Sequence, residues 1–478
     1  MKSEELFDAI GMAEDKMVQK AQTIKKKFWR RKSFYGAVAA VLIAALGVGL
    51  VWKSQTPASL LQAYAMAEAA YPQMHQMPSE DAFMDNWDAY ETAHEAWLAD
   101  KKTQHAYYDA SIDLDAFFEK CMTAFLSGKE GENVVFSPLN LYMALTMLAE
   151  TTDGESREQI LSLLDTKDIE QLRKDAAAIW NSNYSDDGAI TCILANSLWL
   201  NDSVDFKQVT IDRLADTYYA SSYRGNPAKE EFNQVLRDWL NEQTGGLLKE
   251  MTERVTLDPA TVLALASTVY FKARWTDEFQ KSDTKPDTFY TTSEEITCDF
   301  MNESTSGTYY WGERFSAVYK HFHNCGNSNM CFILPDEGVS PEELLADEEM
   351  MQFLFSGEEW EKQKRLTINL SLPKFDVQSQ IDLTEGLRNL GVTDVFSPAS
   401  ADFTPVTDET ICMSGATHGA RVTIDEEGCT AAAFTLMLCG AGMPPTEEVD
   451  FVLNRPFLFV ITSETGLPLF VGIVNTPV

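Results

Sequence analysis

Apolar positions along this chain recur at two spacings, and the change between them marks its architecture. In LDAFFEKCMTAFLSG, residues Leu114, Phe117, Phe118, Cys121, Met122, Phe125 and Leu126 fall at helical spacing and Gly128 closes the run. SPLNLYMALTMLAETTDGESREQILSLL carries further helices, broken at Gly154. Beyond this the period shortens. AITCILANSLWLN (189–201) and TVLALASTVYFKARW (261–275) read as strands, as do NMCFILPDEG and RLTINLSLPKFDV. The chain closes with a hairpin, residues 457–462 and 467–474, turning through Gly466. Helices fill the first third of the region 111–478 and strands the rest, so the predicted class is α+β.

Upstream the pattern is different. Ser33 to Trp52 is twenty residues without a charge, the length an α-helix needs to span a hydrocarbon core. Residues 1–32 carry nine Lys/Arg against five Asp/Glu, with Lys25, Lys26, Lys27, Arg30, Arg31 and Lys32 next to the apolar run. The positive-inside rule then predicts a cytosolic segment 1–32, a signal-anchor helix 33–52 in the bilayer, and everything after Lys53 outside the cell. The arrangement resembles that of a bacterial type II membrane protein. A cleaved signal peptide, giving a secreted protein, is the rival reading. Residues 53–110 are polar, dotted with aromatics and poor in β-branched types, and read as an extracytoplasmic stalk with some helix.

Charge narrows the function classes. The net charge is −35, and the +4 of residues 1–32 leaves −39 on the rest, so a nucleic-acid partner is excluded for want of a basic footprint. The eight cysteines are scattered without a C-x-x-C pair and read mostly as buried thiols. There is no G-x-S-x-G, H-E-x-x-H, G-x-G-x-x-G or P-loop. His321 and His323 alternate and Cys325 follows, a spacing that fits a metal seat or, more simply, a polar strand end. The residues offer no enzyme, no cofactor and no metal site, and a monomer is expected.

One stretch fits no element: EEGCTAAAFTLMLCGAGMPP, Glu426 to Pro445. Together with ATHGARVTIDEEGCTAAAFT before it and DFVLNRPFLFVITSETGLPLFVGIVNTPV after it, it resembles the carboxy-terminal signature of the serpins. NVVFSPLNLYMALTMLAETTDGESREQIL, LNEQTGGLLKEM and STVYFKARWTDEF resemble further serpin motifs in the family's order, covering residues 111–478. The resemblance implies three β-sheets, eight or nine helices and an exposed reactive-centre loop. It also implies a function, suicide inhibition of a serine protease whose acyl-enzyme is trapped when the cleaved loop inserts into the central sheet.

The hinge is then Glu426, Glu427, Gly428, Cys429, Thr430, Ala431, Ala432 and Ala433. Gly428 supplies backbone freedom, and the small residues after it can enter a packed sheet without overpacking. Ser137, Asn140, Ser267 and His418 fall in the region the family uses as a shutter, and Trp275 where insertion starts. Asn140 and Ser267 exchange the family's usual serine and asparagine, as if hydrogen-bond partners had been swapped. The family's spacing points to cleavage at Gly442–Met443. The span to Pro456 is longer than in familiar members, so Leu438, Cys439 and Ala441 are candidates too. None is basic, which favours an elastase-like or subtilisin-like protease. The alternatives are a papain-like cysteine protease as target, or a non-inhibitory serpin-fold binding protein.

Overall fold

The helix Asp115–Leu126 buries Phe117, Phe118, Cys121, Met122, Phe125 and Leu126, the residues whose spacing predicts it. The next helix, Pro138–Thr151, is apolar almost all round and correspondingly buried almost all round. Ser137 caps it and Pro138 occupies its first turn, where a missing N–H costs nothing. It lies between two sheets, packed against the strands Leu263–Arg274 and Pro468–Val474. These elements belong to a computed structural model that describes residues 57–78, 86–323, 327–355, 359–429 and 447–477.

The chain divides into two units, Met1–Ala63 and Tyr64–Val478. In the first, the described residues are helical, within Pro57–Tyr64. Among the described residues no helix is long and apolar enough to cross a membrane, and the predicted span 33–52 lies outside them.

In the second unit the central sheet has the strand order Ala65–Ala67, Ala220–Gly225, Ile190–Asn201, Leu263–Arg274, Gly428–Cys429, Thr417–Ile424, Phe375–Asp382, with Ser185–Asp186 folded back on Ile190–Asn201. The other sheet runs Glu448–Val452, Gln363–Pro373, Glu295–Trp311, Phe315–His321, Asn329–Pro335, Phe457–Thr462, Pro468–Val474, Val134–Phe136, and Lys285–Tyr290 pairs beside Glu295–Trp311. The α+β class holds. The predicted closing hairpin is Phe457–Thr462 and Pro468–Val474, paired antiparallel.

Three expectations need correction. Three sheets were expected, and the described residues form two. The 17-residue strand Glu295–Trp311 pairs with Gln363–Pro373 along most of its length and with Phe315–His321 only through Tyr309, Tyr310 and Trp311. That short corner joins two strand groups into one hydrogen-bonded sheet. The described residues also hold 12 α-helices rather than eight or nine, because single-turn helices such as Lys249–Thr252 and the helix Trp87–His105 add to the set.

The third concerns the stalk. From Tyr64 onward the segment read as a stalk is part of the second unit. Ala65–Ala67 pairs with Ala220–Gly225 at the edge of the central sheet. Tyr71 packs among Trp180, Tyr184 and Tyr219, and Trp97 is buried. Its sparse apolar residues are what hid this packing, since a few aromatic anchors leave no periodic signal.

Candidate functional site

At the end of the strand Thr417–Ile424 the chain reverses within four residues. The Asp425 carboxylate accepts from the main-chain N–H groups of Glu427 (2.9 Å) and Gly428 (3.2 Å), and Asp425 N–H donates to Gly428 O at 3.1 Å. The turn delivers Gly428 and Cys429 into the central sheet. Cys429 pairs with Ala273 on one side and with Ile424 on the other. Gly428 takes φ +152°, and a Cβ there would lie 2.3 Å from the Ala273 carbonyl oxygen, so only glycine fits this approach.

Trp275 forms the corner above this entry. Its indole N–H donates to Asp425 O at 3.1 Å and its main-chain N–H to Glu427 O at 3.0 Å. Its ring stacks on Phe322 with centroids 4.8 Å apart, and the Lys320 ammonium lies 5.5 Å from its centre. The two glutamates of the turn are clasped as well. Glu426 accepts from Lys374 Nζ and Thr284 Oγ1, both at 2.9 Å, and Glu427 from Lys281 Nζ at 2.6 Å. Burial works against charge on Glu426, but Lys374, its own main chain and Thr284 hold its carboxyl below the usual range.

Below Cys429 the two neighbouring strands are not joined. Among the described residues no ladder links Leu263–Arg274 to Thr417–Ile424, and a cleft opens between residues 268–271 and 419–422. The Thr268 hydroxyl, on a residue 5 % exposed, lines this cleft without a hydrogen-bond partner. Under the sheet, Asn140 Nδ2 donates to Ser267 O at 3.1 Å, Ser137 Oγ caps Asn140 N, and Ser137 N–H donates to His418 Nε2 at 3.1 Å. His418 is wholly enclosed, edge-on to Phe136, and burial pushes its pKa down to about 4.

The fold thus places a short strand in the middle of a sheet, above an open cleft. A family model described as Serpin (serine protease inhibitor) matches residues 115–477. The chain belongs to the serpin family. Plasminogen activator inhibitor 1 of Sus scrofa is 27% identical to it over 400 residues, covering 78% of this serpin and 94% of its own length. The thermophilic serpin Tengpin in its native state aligns with TM-score 0.68 and 26% identity over 77% of this chain and 95% of its own. Thyroxine-binding globulin in complex with thyroxine shares the fold alone, with TM-score 0.66 and 19% identity over 76% of this chain and 99% of its own.

The residues singled out in the sequence of this serpin fall into two groups. Ser137, Asn140, Ser267 and His418 meet beneath the central sheet, while Trp275, Glu426, Glu427, Gly428 and Cys429 meet at its entry. Asn140 reaches the main chain at Ser267 rather than its side chain. Thr430, Ala431, Ala432, Ala433 and the cleavage candidates Leu438, Cys439, Ala441, Gly442 and Met443 lie outside the described residues. Cys121, Cys192, Cys298, Cys331 and Cys429 are buried, Cys412 is half-buried, and Cys325 lies outside the described residues. His321 ends the strand Phe315–His321, and Cys325, the third residue of that spacing, lies outside the described residues, among which no three potential metal ligands cluster.

Sequence reasoning missed Asp425, Lys281, Thr284, Lys374 and Phe322. The partners of Glu426 and Glu427 come from 52 to 146 residues away, and only the three-dimensional fold brings them together. Asp425 was legible: an aspartate two residues before a glutamate and three before a glycine is a turn signal.

Proposed function

We propose that this serpin is a suicide-substrate inhibitor of serine proteases, elastase-like or subtilisin-like in preference, tethered to a membrane with its body outside the cell. The observation that carries the reading is the pairing of Cys429 between Ala273 and Ile424 above an unpaired cleft. The protease supplies the chemistry. Its nucleophile attacks a carbonyl of the loop and forms an acyl-enzyme, the amine half departs, and the freed chain enters the cleft before water releases the ester. This chain contributes bait and a fold whose free energy is discharged once.

Register defines what must fit. Continuing from the Cys429–Ala273 row, Ala431 would come level with Phe271 and Ala433 with Val269, both core-facing and buried. A side chain larger than alanine there meets a packed interior, and a charge would be stranded in it. The unpartnered Thr268 hydroxyl would gain neighbours on the arriving strand.

The candidates for the cleaved bond (Leu438, Cys439, Ala441, Gly442 and Met443) are uncharged, which supports a protease with an apolar or small specificity pocket. The uncharged run 33–52 and its basic flank support a bilayer anchor with the charge asymmetry of a bacterial type II membrane protein, and residues 53–63 as the remaining connection to the body.

The full chain in detergent is mixed with elastase and with subtilisin and resolved under denaturing conditions. The proposal expects a covalent complex that withstands denaturant and releases the carboxy-terminal fragment. Cleavage without a complex would leave a serpin-fold binding protein. A complex with papain alone would move the target to cysteine proteases.

A further inference from the structure

The family match begins at residue 115, yet the unit that contains it begins at Tyr64. Several of the residues in between converge on one place. Gln76 Nε2 donates to Asp186 O at 2.8 Å and Met77 N–H to Asp187 O at 2.6 Å. Gln104 Nε2 donates to Tyr184 O at 2.8 Å, and Trp97 Nε1 to Asp187 Oδ2 at 3.0 Å. All of these grip residues 184–187, immediately before the strand Ile190–Asn201.

Asp187 is the centre of the grip. Its side chain is 0% exposed, and the cation on it is Lys101, 2.8 Å from Oδ2. The other carboxylate oxygen accepts from Ala189 N–H and Ile190 N–H, both at 3.0 Å. Ile190 pairs with Ala273, and Ala273 pairs with Cys429. A short chain of contacts therefore runs from Lys101 through Asp187 and Ile190 to the row where the loop enters. Lys101 also holds Glu464, 3.1 Å away in the turn between the strands Phe457–Thr462 and Pro468–Val474 of the other sheet. Burial opposes both charges, but Lys101 holds the Asp187 carboxyl below its usual range, and Glu464 and Asp187 together hold the Lys101 ammonium above its own.

We infer that residues 64–78 and 86–108 are a latch on loop insertion, and that Lys101 is its positioning residue, mooring one wall of the central cleft to the second sheet. An added strand moves its neighbours apart by about 4.8 Å, the spacing of strands in a sheet. The Lys101–Glu464 pair, at 3.1 Å, does not survive such a shift between its partners unless one follows the other. The inference rests on the loop-insertion reading. It adds that the barrier to insertion is set in part by a segment outside the family-matched region.

The test compares intact and loop-nicked full chain, wild type against Lys101→Gln and Lys101→Arg. Lys101→Gln is expected to lower the melting temperature of the intact protein by several degrees and that of the nicked protein by less, since the loss of a partner for buried Asp187 is common to both while the loss of the mooring is not. On warming without protease, it should pass into a heat-resistant form at least about tenfold faster, the effect of some 1.4 kcal/mol on a barrier. Lys101→Arg should behave as wild type. An equal loss in intact and nicked protein would make Lys101 an ordinary structural residue and overturn the latch while leaving insertion intact. If nicking does not raise the melting temperature of the wild type, insertion itself fails and the latch with it. Should Lys101→Gln not fold, Glu464→Gln keeps Asp187 neutralised, breaks only the mooring, and carries the same comparison.

Discussion

Arg421 donates from Nη1 to the carbonyl oxygen of Leu247 at 3.0 Å, tying one wall of the cleft to a segment that lies over the other. That segment crosses the cleft. A Cβ on Gly245 would touch the ring of Tyr270 in the wall Leu263–Arg274, and one on Gly419 in the wall Thr417–Ile424 would sit 3.2 Å from Met251 Cε. Chain entering beyond Ala431 has to pass beneath this strap.

Replacing Arg421 by glutamine is therefore expected to speed loop insertion. A charge-assisted hydrogen bond of about 1.5–3 kcal/mol, if lost on the way to the barrier, corresponds to roughly tenfold or more in rate. The heat-resistant fraction formed on warm incubation measures it. Asp376→Asn weakens the Arg421 pairing but leaves the bond to Leu247, and should leave the rate close to that of wild type.

Gly428→Ala should destabilise the intact protein by about 1–3 kcal/mol, because the new Cβ meets the Ala273 carbonyl and φ lies where L-residues are strained. Urea unfolding checks it. A variant as stable as wild type would mean that the close approach at the hinge is not kept in solution.

Stability should depend on His418 between about pH 6.5 and pH 4. Its neutral Nε2 accepts from Ser137 N–H, and burial lowers its pKa to about 4. Through that window the unfolded chain binds the proton and the folded chain does not. The contribution is thus fully present above the unfolded value and is lost as pH falls, by something on the order of 3 kcal/mol. The difference in unfolding free energy between wild type and His418→Gln, followed from neutral to acid pH, should shrink accordingly.

Ala433→Glu should convert the protein from inhibitor to substrate. On the proposed insertion, the Cys429 register would bring residue 433 level with Val269, which is 9% exposed and core-facing, so a carboxylate there would arrest insertion. Cleavage by a target protease would proceed, with turnover in place of a trapped complex.

Much of the fold was legible because its long elements carry a clear pattern: Phe117 to Leu126 at helical spacing, and largely apolar runs without helical periodicity at Ile190–Asn201 and Leu263–Arg274. What was not legible depends on distance along the chain. Lys101 is 363 residues from Glu464, and Arg421 is 174 from Leu247, and nothing local to a lysine or an arginine names its partner. The packing of 64–110 was hidden for a related reason. Tyr71 and Trp97 anchor it one at a time, without the repetition that marks an amphipathic element.

The most direct measurement is the melting temperature of the full chain before and after a single cut between Phe434 and Met443, made by any protease that reaches the loop. Insertion of a strand beside Leu263–Arg274 predicts a rise of tens of degrees, well beyond the few degrees that about 1 kcal/mol brings in a domain of this size. An unchanged melting temperature would contradict the account: the serpin fold would stand, and inhibition by loop insertion would not.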